Sequence, residues 1–440
     1  MRAPIYKKSL ISPRQIIGSP MSKLCLFLII FLMAAPIFAN PEEKKGFWGW
    51  ETLTGGWGGM RERLSEKGVD FEFIYTGDVM SNISGGIQRQ TDYLDNVDLT
   101  LSLDMEKLVH WKGASFFFYG IGNQGGSPSL NSGDAQGPSN IESPDAWKLH
   151  EAWFQQKLFQ DNLSILLGLY DLNSEFDSIE TASLFLNASQ GMGIDFAQSG
   201  QNGPSAFPST SLAARLRLEP KPWFYIQTAV LDGVPGDPND PYSTQIQFDE
   251  GDGLLIATEL GFLPGELEEG KPYGKLALGA WFYTGKFDHV LDVDSLGNPV
   301  RKKGSFGLYT LGEYNVFREK NDENQGLSVY ARFGYANPSL NPINYYMGFG
   351  AVYTGLIPGR NGDQFGIAVA NAINGKKFQQ SQRRAGSPVK KTETNVEISY
   401  RAQLTPWLAM QPDVQFIINP GMDPAKTHAI QAGLRFEVTC

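Results

Sequence analysis

Cysteine is nearly absent: Cys25 and Cys440 are the only two in 440 residues. Cys25 falls in an N-terminal leader, so one thiol remains in the mature chain. That excludes a disulfide within the chain and a thiolate metal site. Histidine is as sparse. His110, His150, His289 and His428 lie far apart and show no H-E-x-x-H spacing, so no metal site is read. There is no G-x-S-x-G elbow and no P-loop, so neither an enzyme nor a bound cofactor is expected. Beyond the leader no run reaches the ~18 apolar residues of a spanning helix. Basic charge is also short, with 37 Lys and Arg against 47 Asp and Glu. Taking away the leader's Arg2, Lys7, Lys8, Arg14 and Lys23 leaves 32 against 47, a balance of −15. An acidic chain without a basic run argues against a nucleic-acid partner.

Glycine and aromatic residues, by contrast, are abundant, as a protein of many strands and turns requires. Residues 1–39 read as a secretory signal peptide. Met21-Ser-Lys23 is its basic start, Leu24–Met33 its apolar run and Ile37-Phe38-Ala39 its cleavage site. Met21 begins a complete signal by itself, so Met1–Pro20 reads as an upstream extension. Residues 40–68 form an N-terminal periplasmic segment in which Met60–Lys67 predicts a short helix ended by Gly68. From Val69 to Cys440 the chain is a succession of strands.

The last stretch shows the format. Ile430, Ala432, Leu434, Phe436 and Val438 alternate with Gln431, Gly433, Arg435, Glu437 and Thr439. That is the period of a strand with one apolar and one polar face. Similar stretches begin with Val69–Val79 and Asp95–Glu106 and end with Thr394–Gln403, Trp407–Ile418 and Thr427–Cys440, sixteen in all. The connections alternate in character. Short ones, such as Phe159–Asn162 and Glu219–Pro222, follow long ones such as Asn123–Asp145, Leu172–Thr210, Asp232–Asp252, Gly285–Lys303 and Ile373–Lys391. A soluble sandwich or propeller has no reason to alternate this way. A transmembrane antiparallel β-barrel with short periplasmic turns and long extracellular loops does.

Lipid then fixes which face each residue takes, because an Arg facing lipid near the midplane costs about 2–4 kcal/mol. Arg215 and Arg217 must face the lumen, opposite Leu212, Leu216 and Leu218. The same rule turns Glu259, Arg332, Glu397, Arg401, Asp413, Arg435 and Glu437 inward. Glu151 is a further lumenal candidate, although Leu149 and Trp153 share its side. Trp281, opposite Leu276, Leu278, Ala280 and Phe282, is the aromatic candidate for stacking on a sugar ring. A wall carrying both signs offers hydrogen bonds to hydroxyl groups, and each pair can equally brace the wall. The acidic clusters Asp232–Asp240 and Asp249–Asp252 lack the alternating ligands of a calcium loop.

A set of short motifs carries a family resemblance. They are Gly56–Leu64 (GWGGMRERL) with Lys67-Gly68-Val69, Asn82–Gly86 (NISGG), Asp98–Trp111, Leu149–Trp153 (LHEAW) and Gly168–Asp171 (GLYD). Phe185–Asn187, Gln411–Gln415 (QPDVQ), Asn419-Pro-Gly421 and Gly433-Leu-Arg435 complete it. In order and spacing the chain resembles the carbohydrate-selective porins, the OprB type. That resemblance implies a sixteen-stranded barrel in the bacterial outer membrane that passes mono- and small oligosaccharides passively. It also implies loops folded inward to a constriction lined by Arg and acidic side chains, with Leu172–Thr210 as the matching loop. Lipid and permeating sugars are the implied partners, in a monomer or a homotrimer. Barrels of this type end on an aromatic residue read by the barrel-assembly machinery, whereas this chain ends on Cys440. The alternatives are a general or weakly cation-selective diffusion porin, suggested by the net charge, and a barrel carrying an enzyme or adhesin. The last needs a clustered nucleophile and base or a large external domain, and the sequence has neither.

Overall fold

Hydrocarbon offers no partner to a backbone N–H or C=O, so strands that cross it must pair on both edges and close on themselves. The computed structural model, which describes residues 46–267, 273–320 and 322–440, meets that demand with sixteen antiparallel strands. They are β1 (Val69–Gly86), β2 (Thr91–Asp104), β3 (Ala114–Gly125), β4 (Ala146–Leu158), β5 (Leu163–Tyr170), β6 (Ser211–Lys221), β7 (Phe224–Asp232) and β8 (Leu254–Phe262). There follow β9 (Gly274–Val293), β10 (Pro299–Glu319), β11 (Asp322–Ala336), β12 (Ile343–Thr354), β13 (Gln364–Asn374), β14 (Thr392–Thr405), β15 (Leu408–Ile418) and β16 (Thr427–Thr439). Each pairs with its chain neighbours, and β1 closes on β16 from Ile74↔Thr439 to Gly86↔Thr427. The leader lies outside the described residues.

Alternation does the sorting. On β6 the aliphatic Leu216 and Leu218 are exposed on the lipid side, while Arg215 is buried inside. Leu276, Leu278 and Phe282 on β9, and Leu308 on β10, likewise face outward. The core therefore lies inside the barrel. Residues of the β5–β6 loop (Leu172, Phe176, Phe185 and Phe196 among them) pack there on the inward faces of Trp281, Tyr283, Tyr309 and Tyr330.

Several boundaries differ from the sequence expectation, β1 running on to Gly86 among them, and two differences change the character of a segment. The stretch Gly285–Lys303 is not a loop. Strands β9 and β10 continue through it as a projecting hairpin, turned at 294–298, where Asp294 Oδ1 accepts from Leu296 N (2.8 Å) and Asn298 N (2.9 Å). At the other end of the barrel the second strand stops before Glu106. Asp104 Oδ1 accepts from Glu106 N (2.9 Å) and Lys107 N (3.2 Å), capping a short helix at Met105–Val109.

The seam between β1 and β16 is the one strand pair with no turn to join it. The segment before β1 stitches it. Leu53 N donates to Thr439 O (2.8 Å), and Arg61 of the helix Met60–Glu66 donates through Nη2 to Cys440 O (2.8 Å). The same guanidinium lies over Trp57 (5.2 Å) and over Phe71 of β1 (5.1 Å). Phe47 and Trp48 pack on Trp407 at the β14–β15 turn. Arg61→Ala removes one charge-assisted hydrogen bond and two ring contacts, about 1–3 kcal/mol together. The temperature at which the folded barrel converts to its unfolded, slower-migrating form on gels should fall by several degrees; an unchanged conversion temperature would show that the seam needs no stitch.

Candidate functional site

A loop that enters a barrel brings backbone N–H groups into a space with little water, and each needs an acceptor. The β5–β6 loop (171–210) finds them on the wall. Glu259 of β8 accepts from Asp177 N (3.0 Å), Tyr225 Oη (2.7 Å) and Tyr309 Oη (2.6 Å). Glu313 of β10 accepts from Glu180 N (3.2 Å), and from Thr181 N and Oγ1 (both 2.8 Å). Glu397 of β14 accepts from Leu186 N (2.5 Å) and Asn187 N (3.2 Å). The loop thus reaches from its own strands across to β14.

Arginine supplies the opposite polarity. Arg332 of β11 is gripped by two loop carboxylates. Its Nη2 lies 2.6 Å from Asp177 Oδ2, its Nε 2.7 Å from Oδ1, and its Nη1 2.6 Å from Asp195 Oδ1. All three side chains are at most 3% exposed. The fit leaves no spare room: a Cβ at Gly193 would strike the Arg332 guanidinium, and one at Gly334 would strike the Asp195 carboxylate. Arg215 of β6 makes a second, bidentate bridge to Glu175, at 2.7 and 2.8 Å.

The β3–β4 loop (126–145) is held the same way, by β14, β1 and β16. Glu393 of β14 accepts from Ala135 N (2.9 and 3.1 Å) and Gln136 Nε2 (3.2 Å). Asp78 of β1 accepts from Ser139 Oγ (2.7 Å), and Arg435 of β16 bridges Asp78 (2.7 and 2.8 Å) to Asn140 Oδ1 (2.7 Å). Within this loop Glu142 accepts from Ser129 N (3.0 Å) and Oγ (2.5 Å). Burial, with Asp134 and Asp92 nearby, pushes its carboxyl up to about 7. A carboxyl raised in the folded loop favours its proton. Its contribution is complete below its ordinary value of 4.5 and is lost as pH rises through about 7.

The inward-facing residues expected from sequence fall into two groups. Glu151, Arg215, Glu259, Arg332, Glu397, Asp413 and Trp281 are at most 5% exposed. The loops cover most of them. Trp281 is stacked against Phe196 of the loop, rings 5.1 Å apart and 4° from parallel, so no face is left for a sugar. Arg217, Arg401, Arg435 and Glu437 keep partial access. Arg401 pairs with Glu437 at 2.8 Å, and Arg217 donates to Gln227 Oε1 at 2.9 Å. The parity of Glu151 is decided by a bulge: Tyr119 pairs with Glu151 but Gly120 with Leu149. His150 and Glu151 therefore both turn inward, while Leu149 stays exposed.

Between the two loops and the wall lies a cavity of ≈ 700 Å³. It sits off-centre, against β1–β3 and β16. The wall contributes Thr76, Asn96, Asp98, Tyr119 and Arg435; the loops contribute Ile141, Met192, Phe207 and several prolines, with Asp237 from the β7–β8 loop. Asp98 accepts from Asn96 Nδ2 (2.6 Å) and Tyr119 Oη (2.7 Å). Arg435 is among the residues expected from sequence; Thr76, Asn96, Asp98 and Tyr119 are not. Their signal is only the inward parity of their strands, which Asp98 on β2 shares with many others.

The carbohydrate-selective porin, OprB family model matches residues 88–439. Porin B of Pseudomonas aeruginosa is 26% identical over 447 residues, covering 94% of this chain and 96% of that protein. A putative porin of Acinetobacter baylyi, QuiX, is 21% identical over 93% of this chain and 98% of its own length. The high-pH structure of Pseudomonas putida OprB has the same fold, with a TM-score of 0.82 at 24% identity, covering 90% of this chain and 100% of that one.

Two results are expected. Arg332→Ala strands Asp177 and Asp195 without a counter-charge, at about 3–5 kcal/mol. The β5–β6 loop should become open to protease from the external side and single-channel conductance should rise; an unchanged conductance would mean that the loop is held without this bridge. Glu142→Gln should flatten the pH dependence of amide exchange in 126–145 between pH 4.5 and about 7. A slope like that of the parent chain would assign the pH dependence to another group.

Proposed function

Since the chain belongs to the carbohydrate-selective porin family, it is a sugar-conducting channel of the bacterial outer membrane rather than an enzyme, and we propose that its solutes take the off-centre passage beside β1–β3 and β16. The observation that carries this reading is the two-sided lining of that cavity. On one side Asn96, Asp98, Tyr119 and Arg435 present donors and acceptors that suit hydroxyl groups. On the other, Phe207 and neighbouring prolines present an apolar surface that suits the C–H face of a sugar ring. Its size falls within the ~300–1,000 Å³ typical of small-molecule sites.

In this reading Arg215, Glu259, Arg332 and Glu397 position the loops and do not touch solute. Arg217, Arg401 and Glu437 line the lumen without a loop over them. Charge in the passage favours neutral solutes over anions. Arg435 is already neutralised by Asp78, whereas Asp98 and Asp237 make no ion pair among the described residues. This excess of negative charge also supports a weak preference for cations when the solute is a salt.

Liposome swelling tests the passage. Glucose should enter faster than glucuronate, and Asp98→Asn should raise the glucuronate rate relative to glucose by about twofold or more, with reversal potentials moving toward anions. An unchanged ratio would place the solute path elsewhere.

A further inference from the structure

The projecting β9–β10 hairpin carries an unusual rung. Phe282 and Phe306 are cross-strand partners, each 43% exposed on the lipid side. Among the described residues, no outward-facing aromatic residue lies beyond them on these two strands. Past a bulge between Lys303 and Ser305, Lys286 stands on the outward side four residues further along β9, and its partner across the ladder is Lys303, three residues along β10 from Phe306. Phe287, between Lys286 and the next outward residue, packs inward on Tyr283, which fixes that parity. Both lysines are exposed, and neither makes an ion pair among the described residues. Like charges directly opposite on an antiparallel pair repel. The following rung, Asp288 opposite Arg301, is neutral, with 3.7 Å between its charged groups. Of the hairpin's other acids, Asp292 is engaged by Lys302 at 3.7 Å and by His289, and Asp294 accepts from the backbone of the turn.

We propose that the Lys286–Lys303 rung binds a phosphate group of the phosphorylated glycolipid that forms the outer leaflet around the barrel. Position selects this occupant. The lysines stand just beyond the last lipid-facing phenylalanines, at the height of the headgroups, and they point away from the lumen. A phosphate between them cancels the repulsion that the hairpin otherwise carries, and it accepts from both ammonium groups. The hairpin is then held upright by lipid on its outer face, as it is held by Phe287 on its inner face.

Native mass spectrometry of the purified full chain with bis-phosphorylated lipid A tests the idea. Lys286→Gln with Lys303→Gln should weaken lipid A binding by about tenfold or more at low salt, and the Lys→Arg pair should retain it. Glucose swelling and heat-modifiable migration should be unchanged, which separates lost lipid from lost fold. Equal binding by the Gln pair would overturn the proposal. So would equal binding of dephosphorylated lipid A, or inorganic phosphate binding as tightly as the lipid.

Discussion

Backbone groups that leave water must be paired, and here that demand is met in two ways. The strands satisfy theirs by closing the ring. The two loops that turn inward have no ladder to join, so they borrow acceptors from the wall. Glu259, Glu313, Glu393 and Glu397 serve as those acceptors. Such residues could not have faced lipid. Keeping charge out of the hydrocarbon and holding the loops in place are therefore one solution, with the position of the passage as its result.

The inward parity of the charged residues was legible in the sequence because the penalty for the wrong face is large and local to each strand. Arg215, Arg332 and Glu397 needed only their own neighbours to be oriented. What covers them was not legible. The partners of Arg332 lie 155 and 137 residues away in sequence, in a loop with no periodicity of its own. Trp281 shows the same limit: its parity is plain, but the ring that stacks on it, Phe196, is in that loop. Glu151 stayed ambiguous because one bulged residue reverses the pattern of β4. Residues 285–303 read as a loop because their outward positions carry Lys286, Asp288, Arg301 and Lys303, so alternation loses its apolar signal there.

Most of the charge inside the barrel is engaged by the protein itself, in ion pairs or in hydrogen bonds from the loops. Arg332, Arg215 and Arg435 are each matched by carboxylates from a loop or a neighbouring strand. A wall that looks densely charged in sequence thus presents few free charges to a solute, and hydroxyls, amides and rings make up much of the rest. A passage of that kind suits molecules that are polar without being ionic.

The clamp on Arg332 has a consequence for comparing sequences. Gly193 and Gly334 are glycines because the bridge passes where their side chains would be. In a homologous chain, a larger residue at either position and an intact Arg332–Asp195 bridge exclude one another. The four positions should therefore change together or not at all, although two lie on the wall and two in a loop. Covariation among them would identify relatives whose lumen is divided in the same way, from sequence alone.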